Sequence, residues 1–384
     1  MSSHVIIIGG GISGTSTAYE LARNGVRVTL LERGDLASMA SGWTLAGVRQ
    51  SGRHPAELPL AAAAVARWVG LSEELEADTE YRQNGNLRLA LSEADVPVIK
   101  GVVEASTAAG IDITYLDSVE DIHAIAPALT TELYGASFCP TDGHANPTKS
   151  VLAFAAAAKR HGATIRTGVD VTGITTASGK LTGVETTDGP IGADVVIVAA
   201  GIYTPRLLEP LGLALPLRVT HVPAVQTVPA PPMLDPVIGI ASGKFAGRQQ
   251  ADGRFRLTTG NTPWSGGDRH DQYNVQPTLE QVRDTIDVST RILPGIQGLR
   301  VAQVWGGLLD LTPDALPVIE RSHDVDGLVI AAGFSGHGFC LGPITGQILA
   351  DLAVFGSTEL PIEPFRLARF TDQAAGAEAL TLHG

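Results

Sequence analysis

The first thirty residues alternate between apolar runs and glycine-rich turns in a pattern that predicts a β-α-β unit. Residues 4–8 form a short, mostly β-branched and continuously apolar run, which is typical of a buried parallel strand. Residues 12–24 place apolar side chains on one side at helical spacing, and Gly25 follows as a stop signal. Residues 26–31 then return to an alternating apolar pattern, which predicts the second strand.

Later segments extend this unit and add a second sheet. Helices are predicted at 148–161 and 343–352, strands at 164–167 and 326–331, and hairpins at 169–186 and 254–259. We expect the last helix to begin near Pro343, because proline is tolerated in a first helical turn. The predicted fold class is α/β, with a Rossmann-like nucleotide-binding domain and a second, α+β domain built on a mixed or antiparallel sheet.

The turn between the first strand and the first helix contains Gly-Gly-Gly-Ile-Ser-Gly at 9–14, which matches G-x-G-x-x-G. Gly9 permits the tight turn, Gly11 lets a diphosphate approach the backbone, and Gly14 lets helix and strand pack closely. The N–H groups of the helix N-terminus attract that diphosphate. Glu32 ends the second strand, where a carboxylate accepts hydrogen bonds from ribose hydroxyls. These features predict a dinucleotide site that disfavours NADP and leaves NAD and FAD open.

Composition narrows the range of partners. The chain has 384 residues, with 27 Lys and Arg against 40 Asp and Glu, so its formal charge is −13. An acidic chain without a basic run is a poor candidate for binding nucleic acid or an anionic membrane. No apolar run approaches the roughly 20 residues of a membrane span. The two cysteines, Cys139 and Cys340, form no Cys/His cluster, which disfavours a metal site and fits a reducing, cytoplasmic location.

The rest of the chain carries motifs in a recognisable order. A small-residue loop at 41–49, with a Ser…Ala-Gly-Val-Arg pattern, follows Glu32-Arg33. The later motifs are Asn-Gly-Asn-Leu-Arg-Leu-Ala at 84–90, Asp-Val-Val-Ile-Val-Ala-Ala-Gly at 194–201, Trp-Gly-Gly at 305–307, Thr-Pro-Asp at 312–314 and Ala-Gly-Phe-Ser-Gly-His-Gly-Phe at 332–339. Together they resemble the FAD-dependent D-amino-acid oxidase (DAO) superfamily. Within it, the chain is most similar to sarcosine oxidase β-subunits, glycine oxidases and hydroxyproline or opine dehydrogenases.

The resemblance implies a division into domains and a mode of cofactor binding. It implies an FAD-binding domain at 1–80, 145–215 and 325–384, and a substrate-binding domain at 81–144 and 216–324. FAD is expected to bind noncovalently, because Thr44 stands where some relatives tether flavin to a histidine. The cofactor-binding residues that follow are Gly9, Gly11, Ile12, Ser13, Gly14, Glu32, Arg33, Ser41, Ala46, Gly47, Val48, Val171, Ala200, Gly201, Gly333, Gly336, His337, Gly338 and Phe339.

The reaction that the resemblance implies is removal of hydride by flavin from a carbon next to an amine nitrogen, leaving an imine that water hydrolyses. This chemistry needs an anchor for the substrate carboxylate more than it needs a strong acid–base group. Arg49 is the first candidate, because it directly follows the flavin-binding loop. The other candidates for substrate contact are Arg248, Tyr273, His54 and His337.

The substrate and the assembly remain open at this point. Expected substrates are a D-amino acid, sarcosine, a proline derivative or an opine, with oxygen or an electron-transfer partner as acceptor. The resemblance implies a dehydrogenase rather than an oxidase, because 253–269 contains no lysine where monomeric sarcosine oxidases carry the one that helps flavin react with oxygen. The alternatives are a 2-hydroxy-acid dehydrogenase, which would need a general base, a flavin-carrying subunit of a hetero-oligomeric amine dehydrogenase, and a noncatalytic nucleotide-binding module. A homo-oligomer is equally open.

Overall fold

The structure, a computed structural model, describes residues 3–264, 266 and 275–370. Its helices are α1 (Ile12–Arg23), α2 (Ala40–Trp43), α3 (Leu58–Trp68), α4 (Leu71–Glu74), α5 (Val96–Ala108), α6 (Val119–Ile125), α7 (Pro147–Arg160), α8 (Thr204–Leu208), α9 (Leu279–Ile292) and α10 (Gly338–Val354). Its strands are β1 (His4–Ile8), β2 (Arg27–Glu32), β3 (Gly47–Val48), β4 (Asn86–Ala90), β5 (Thr114–Leu116), β6 (Gly135–Cys139), β7 (Gly143–His144), β8 (Thr164–Thr167), β9 (Val171–Ala177), β10 (Lys180–Thr186), β11 (Ile191–Gly192), β12 (Val195–Val198), β13 (Arg218–Thr227), β14 (Val237–Ile240), β15 (Phe245–Gln249), β16 (Phe255–Thr259), β17 (Thr262–Pro263), β18 (Val301–Leu311), β19 (Val318–Arg321) and β20 (Leu328–Ala332).

The first sheet has the order β19-β20-β12-β1-β2-β8. Every neighbouring pair is parallel except β19 with β20. All residues of β1 and β12 are buried, as expected of central strands covered on both faces. The β1-α1-β2 unit therefore lies where the sequence predicts it, and the Rossmann-like fold class is confirmed.

Helices α1, α3, α7 and α10 cover one face of this sheet with a continuous apolar core, and the small sheet β9–β11 and α8 cover the other. Helix α10 begins at Gly338, so the prediction of a start near Pro343 is wrong, and this proline lies inside the helix. Packing explains the difference, because a Cβ on Gly342 would lie 2.4 Å from Ile12, and Ser16 Oγ donates to the Gly342 carbonyl oxygen at 2.9 Å. Close contact with α1 thus supports a helical turn that proline alone would end.

The second sheet has the order β17-β13-β16-β15-β14-β4-β6-β5, and β18 pairs along β13. Only β4 with β14 is parallel among its described pairs, so the sheet is mixed, as predicted. Its apolar core packs against α6 and α9. The strands are contributed by residues 86–139 and 218–311, which are far apart in the chain.

The predicted domain boundaries stay a prediction, with one element to note. Strand β19 falls within the segment 216–324 assigned to the substrate-binding domain, yet it pairs with β20 at the edge of the Rossmann-like sheet. Among the described residues, no helix is both long and apolar enough to cross a membrane.

Candidate functional site

Two adjacent cavities lie where the first sheet meets the second. The large cavity measures about 500 Å³ and the small cavity about 130 Å³. Both include residues that follow the carboxyl ends of parallel strands, which is where open α/β sheets bind ligands. The wall residues that the two cavities share are Gly11, Ala40, Ser41, Ala199, Gly201, Leu308 and Asp310.

The glycine turn leaves no room for side chains. Gly9 has φ +115°, and a Cβ there would lie 2.3 Å from the Ala199 carbonyl oxygen. A Cβ on Gly14 would lie 1.9 Å from the carbonyl oxygen of Gly9, so helix and strand touch at this point. The backbone N–H of Ile12, in the first turn of α1, donates to Ser41 Oγ at 3.0 Å. Backbone amides and a helix N-terminus next to a cavity suit a diphosphate.

The small cavity is lined by an acid and a stacked arginine–tyrosine pair. Glu32 accepts hydrogen bonds from the backbone N–H groups of Gly10 at 2.6 Å and Gly34 at 2.8 Å, which fixes its carboxylate beside the glycine turn. Arg33 donates to the Tyr203 hydroxyl at 2.6 Å and stacks 3.8 Å from the centre of that ring. A fixed carboxylate and a flat cationic face are the groups that a ribose and an adenine need.

Most of the predicted cofactor residues line one of the two cavities. The lining residues are Gly9, Gly11, Ile12, Ser13, Glu32, Arg33, Ser41, Gly47, Val171, Ala200, Gly201, Gly336, His337, Gly338 and Phe339. The structure places the remaining four outside the lining: Gly14, Ala46, Val48 and Gly333. Gly14, Ala46 and Val48 are buried instead. Gly333 shapes the backbone, with φ +68° and an N–H that donates to Asp310 Oδ2 at 2.8 Å.

Three side chains from the second sheet hold three consecutive carbonyls of the predicted flavin loop, and we call this set the carbonyl latch. Trp305 Nε1 on β18 donates to the Trp43 oxygen at 3.0 Å, and Arg256 Nη1 on β16 donates to the Thr44 oxygen at 2.6 Å. Arg248 Nε on β15 donates to the Leu45 oxygen. The latch fixes the loop against the sheet.

Arg248 has further partners that take it away from the cavity. Its Nη2 donates to the Ala145 carbonyl oxygen at 3.0 Å, and its Nη1 donates to His144 Nδ1 at 2.8 Å. Burial, with the charge of Arg248 beside it, lowers the pKa of His144 to about 2, so this imidazole is neutral and accepts the bond. Arg248 does not line either cavity, although the sequence predicts it as a substrate contact.

Arg49 lines the large cavity within a group of cations that also contains the partly buried Arg53 and the buried Arg88. Arg49 Nη1 donates to the carbonyl oxygens of Ser51 and Gly52, the latter at 3.2 Å, and Arg53 Nε donates to the Arg49 oxygen at 3.0 Å. Burial, and then the charges of Arg53 and Arg88, hold the pKa of Arg49 well below its usual value. This part of the wall therefore favours an anionic ligand, which would offset the crowded positive charge.

His337 also lines the large cavity, and a buried carboxylate lies behind it. Its Nδ1 is 2.9 Å from an oxygen of Glu57, which also pairs with Arg53 at 3.5 Å. Burial alone would raise the pKa of Glu57, but His337 and Arg53 outweigh it and hold the pKa at about 2. Burial, together with Arg53, lowers the pKa of His337 despite Glu57. A neutral histidine backed by a carboxylate can accept a proton.

Two predicted substrate contacts remain. His54 does not line either cavity, because its ring accepts a hydrogen bond from the Ala56 N–H at 3.1 Å, in the turn before α3. Tyr273 lies outside the described residues.

Sequence reasoning missed several wall residues, namely Arg88 and Arg256 on the cationic side and Asp310 at the junction of the cavities. Burial raises the pKa of Asp310 to about 6, against the hydrogen bond that it accepts from the Gly333 N–H. Only Arg256 had a usable signal, because the alternation at 254–259 puts it on one face of a strand with Thr258.

The family model described as FAD dependent oxidoreductase (DAO) matches residues 4–352. The chain belongs to this family. The glycine turn, the fixed Glu32 and the two adjoining cavities fit the FAD that the family's description names, and the predicted resemblance is confirmed.

Individual relatives cover nearly all of this FAD-dependent oxidoreductase. Sarcosine oxidase subunit beta from an Arthrobacter species is 29% identical over 379 residues, 96% of this chain and 91% of the relative. Glycine oxidase from Geobacillus kaustophilus is 27% identical over 374 residues, 95% of this chain and 96% of the relative. The solved L-proline dehydrogenase from P. horikoshii superposes with a TM-score of 0.89 at 29% identity, covering 99% of both chains.

Proposed function

We propose that this protein oxidises the CH–NH bond of a small amino or imino acid. The observation that carries the proposal is Arg49, a partly buried cation in the wall of the large cavity, four residues beyond the latched loop. The names of the relatives support the proposal, because they act on sarcosine, glycine and L-proline, which share an amine nitrogen next to a carbon bearing a carboxylate.

The residues present suit FAD along both cavities. The glycine turn and the first turn of α1 would hold the diphosphate, Glu32 the ribose, and the segment Gly336–Phe339 with the latched loop would border the ring. When bound, FAD supplies the oxidising group, which accepts hydride from the carbon next to the nitrogen. We infer noncovalent binding from Thr44, a residue without a nucleophile of the usual tethering kind.

The remaining work falls to the protein's own side chains. Arg49 would bind the substrate carboxylate, and the buried wall would hold the substrate amine in its neutral form, since burial disfavours a charged ammonium. Wall residues such as Trp43 and Phe339 would exclude water from the reacting carbon. Substrate orientation therefore comes from one charged contact within a mostly apolar enclosure.

One observation favours a second candidate, a 2-hydroxy-acid dehydrogenase. Removal of hydride from a carbon that bears a hydroxyl requires a base for the hydroxyl proton. His337, in the wall of the large cavity and paired with Glu57 behind it, would supply a base of this kind. The sequence alone shows no base, because Glu57 and His337 are 280 residues apart.

The proposal also covers the oligomeric assembly of the protein and its electron acceptor. The sarcosine oxidase β-subunits are named as subunits, which supports a hetero-oligomer for this chain, with either oxygen or a partner as electron acceptor. A cytoplasmic location remains our inference from the two buried, free cysteines.

The test is an absorption spectrum of the purified protein, recorded anaerobically while amino acids and hydroxy acids are added separately. We expect amines such as sarcosine, glycine or proline to bleach the flavin bands, and hydroxy acids to leave them unchanged. Bleaching by hydroxy acids alone would replace the first candidate with the second. Admitting air afterwards shows whether oxygen reoxidises the flavin without a partner.

The mode of cofactor attachment is tested separately. Acid precipitation should release all FAD into the supernatant, and the pelleted chain should have the mass of its sequence. A pellet that stays yellow would contradict noncovalent binding.

A further inference from the structure

A buried carboxylate outside the cavity walls lies next to the segment that carries Arg49. Asp142 directly precedes β7 and has no exposed surface. Its Oδ1 accepts a hydrogen bond from the Gln50 N–H at 2.8 Å, and its Oδ2 accepts from the Ser51 N–H at 3.4 Å and from the Ser51 hydroxyl. All three donors belong to the two residues after Arg49. The carboxylate therefore fixes the course of the main chain directly beyond this arginine.

Strand register explains why Asp142 meets this segment. Strands β3 and β7 pair in antiparallel fashion, and the last pair places Val48 opposite Gly143. One further step along such a ladder brings Arg49 opposite Asp142. Beyond that step the Asp142 side chain takes the place of a main-chain acceptor for the next two N–H groups. The pairing of two short strands therefore delivers the carboxylate to the end of β3.

The chain turns immediately after the residues that Asp142 holds, and the Arg49 side chain rests on that turn. Gly52 has φ +59°, and a Cβ there would lie 3.2 Å from Arg49 Nη1. Arg49 Nη1 donates to the carbonyl oxygens of Ser51 and Gly52. The guanidinium and the turn therefore form one unit, and a shift of the turn would move the charged group in the cavity wall.

The main chain of Arg49 itself is held by helix α10. Its N–H donates to Cys340 Sγ at 3.3 Å, and the thiol donates back to the Arg49 carbonyl oxygen at 3.4 Å. Burial raises the pKa of Cys340, so the thiol keeps the proton that it donates. Since α10 fixes the residue itself, the turn at 50–52 is the part whose position depends on Asp142.

Asp142 also acts on the charge of Arg49. Burial and the charges of Arg53 and Arg88 lower the pKa of Arg49, whereas the negative charge of Asp142 raises it. In turn, burial raises the pKa of Asp142, against the hydrogen bonds that its carboxylate accepts and the charge of Arg49. Each of the two groups therefore stabilises the charged form of the other.

We propose that Asp142 is a positioning residue, which holds the Arg49 guanidinium in place and in its charged form for the carboxylate of the substrate. It acts through Arg49 rather than on the ligand, because it has no exposed surface and does not line either cavity. This inference rests on the proposed role of Arg49 as the carboxylate anchor. It adds a residue from the turn after β6 to that site.

A charge-selective binding assay tests this role without any reaction. The probes are (methylthio)acetate and its uncharged amide, 2-(methylthio)acetamide, titrated into the oxidised, FAD-loaded protein and followed by the flavin spectrum. We expect wild type to bind the acid about tenfold more tightly than the amide. Asp142→Asn should reduce this preference to less than about threefold, because it removes the charge and one acceptor oxygen. A variant that binds both probes more weakly but keeps the preference would contradict the proposal.

Two further variants serve as control and as second test. Asp112→Asn removes an exposed carboxylate shortly before β5 of the same sheet, so it should keep the wild-type preference. Ser51→Ala removes one of the three donors to Asp142 and should lower the preference about threefold, the value of one hydrogen bond. If Asp142→Asn does not fold, an unchanged preference in Ser51→Ala contradicts the proposal.

A double-mutant cycle shows whether Asp142 acts through Arg49. Arg49→Gln alone should weaken binding of (methylthio)acetate. Adding Asp142→Asn to that variant should cause no further loss, because the group that Asp142 positions is already gone. A further loss as large as the one in the wild-type background would show that Asp142 acts independently of Arg49, contrary to the proposal.

Flavin reduction separates this inference from the function on which it rests. For an amine that bleaches the flavin, Asp142→Asn should raise the half-saturating concentration about tenfold and leave the limiting rate within about threefold. Equal binding of acid and amide by wild type, with bleaching by amines intact, would contradict the Arg49 anchor and this inference but not amine oxidation. A charge preference that depends on Asp142, without bleaching by any amine, would contradict amine oxidation and leave this inference intact.

Discussion

The two ends of the FAD and substrate site are built in different ways. The nucleotide end consists of backbone: three glycines, the first turn of a helix and one carboxylate held by backbone N–H groups. The proposed substrate end consists of long cationic side chains, with Arg49 and Arg53 on the segment after β3 and Arg88 and Arg256 on strands of the second sheet. A backbone site tolerates almost no substitution, whereas a side-chain site can change its ligand through single residues.

The largest expected effect tests the backbone end. Gly14→Val should abolish FAD binding, because even a Cβ at this position would lie 1.9 Å from the Gly9 carbonyl oxygen. The measurement is the ratio of flavin to protein after purification with added FAD, together with Tm. Gly101→Ala is the matched control, because no atom lies within 4 Å of a Cβ there, and its flavin ratio should be unchanged. A Gly14→Val protein with full flavin would contradict the steric argument.

The next effect separates two arginines that the sequence predicts as substrate contacts, Arg248 and Arg49. Arg248→Gln should lower the free energy of unfolding by about 3–5 kcal/mol, because it leaves the buried acceptors of Leu45, His144 and Ala145 without their donor. Chemical denaturation followed by tryptophan fluorescence measures it. Stability within about 1 kcal/mol of wild type would show that Arg248 does not hold the loop.

In contrast to Arg248→Gln, Arg49→Gln should affect activity more than stability. We expect kcat/KM for an amino acid to fall about a hundredfold, since truncating one partner of a buried charge pair costs about 2–5 kcal/mol of binding. The flavin ratio should remain that of wild type, and Arg49→Lys should recover part of the rate. A large loss of flavin without a change in kcat/KM of the loaded fraction would assign Arg49 to the cofactor instead.

The smallest effect concerns Asp310, at the junction of the two cavities. Its pKa is raised to about 6 by burial, so the folded protein holds this proton more tightly than the unfolded chain does. Stability from this group is therefore present below pH 4 and is lost as the pH rises through 6, by about 1–3 kcal/mol. Asp310→Asn keeps an acceptor for the Gly333 N–H and should remove that loss. Identical pH profiles of Tm between pH 4 and 8 would contradict the assignment.

The contrast between the two ends also explains what the sequence could predict. The glycines at 9, 11 and 14 and the acid at 32 have fixed spacing within one β-α-β unit, so their roles follow from local pattern. The substrate wall depends on the pairing of β4 with β14, which joins residues about 150 positions apart. No local pattern contains that register, so the sequence does not identify Arg88 as a wall residue. The sequence also predicts Arg248 in the wall, although its side chain binds Leu45, His144 and Ala145.

Helix α10 also shows that contacts between distant segments limit what a local sequence pattern can predict. Pro343 is a strong local signal for a helix start, yet the helix begins at Gly338 because Gly342 packs directly on α1. Contact between distant segments outweighs the local preference there. The fold class depends on many such segments together and was predictable, whereas single boundaries and single wall residues were not.

The carbonyl latch has a consequence for how this enzyme can evolve. Trp305, Arg256 and Arg248 hold the loop through main-chain oxygens, and every amino acid has one. Substitutions at 43 and 45 can therefore alter the ligand while the main chain that leads to Arg49 keeps its path, whereas Thr44 also accepts a hydrogen bond from the Ala46 N–H through its Oγ1 at 3.1 Å. The residues that cannot be replaced freely are the three distant donors, because their side chains hold the main chain of the loop in place. New specificities can accordingly arise in the loop while the architecture around it is inherited unchanged.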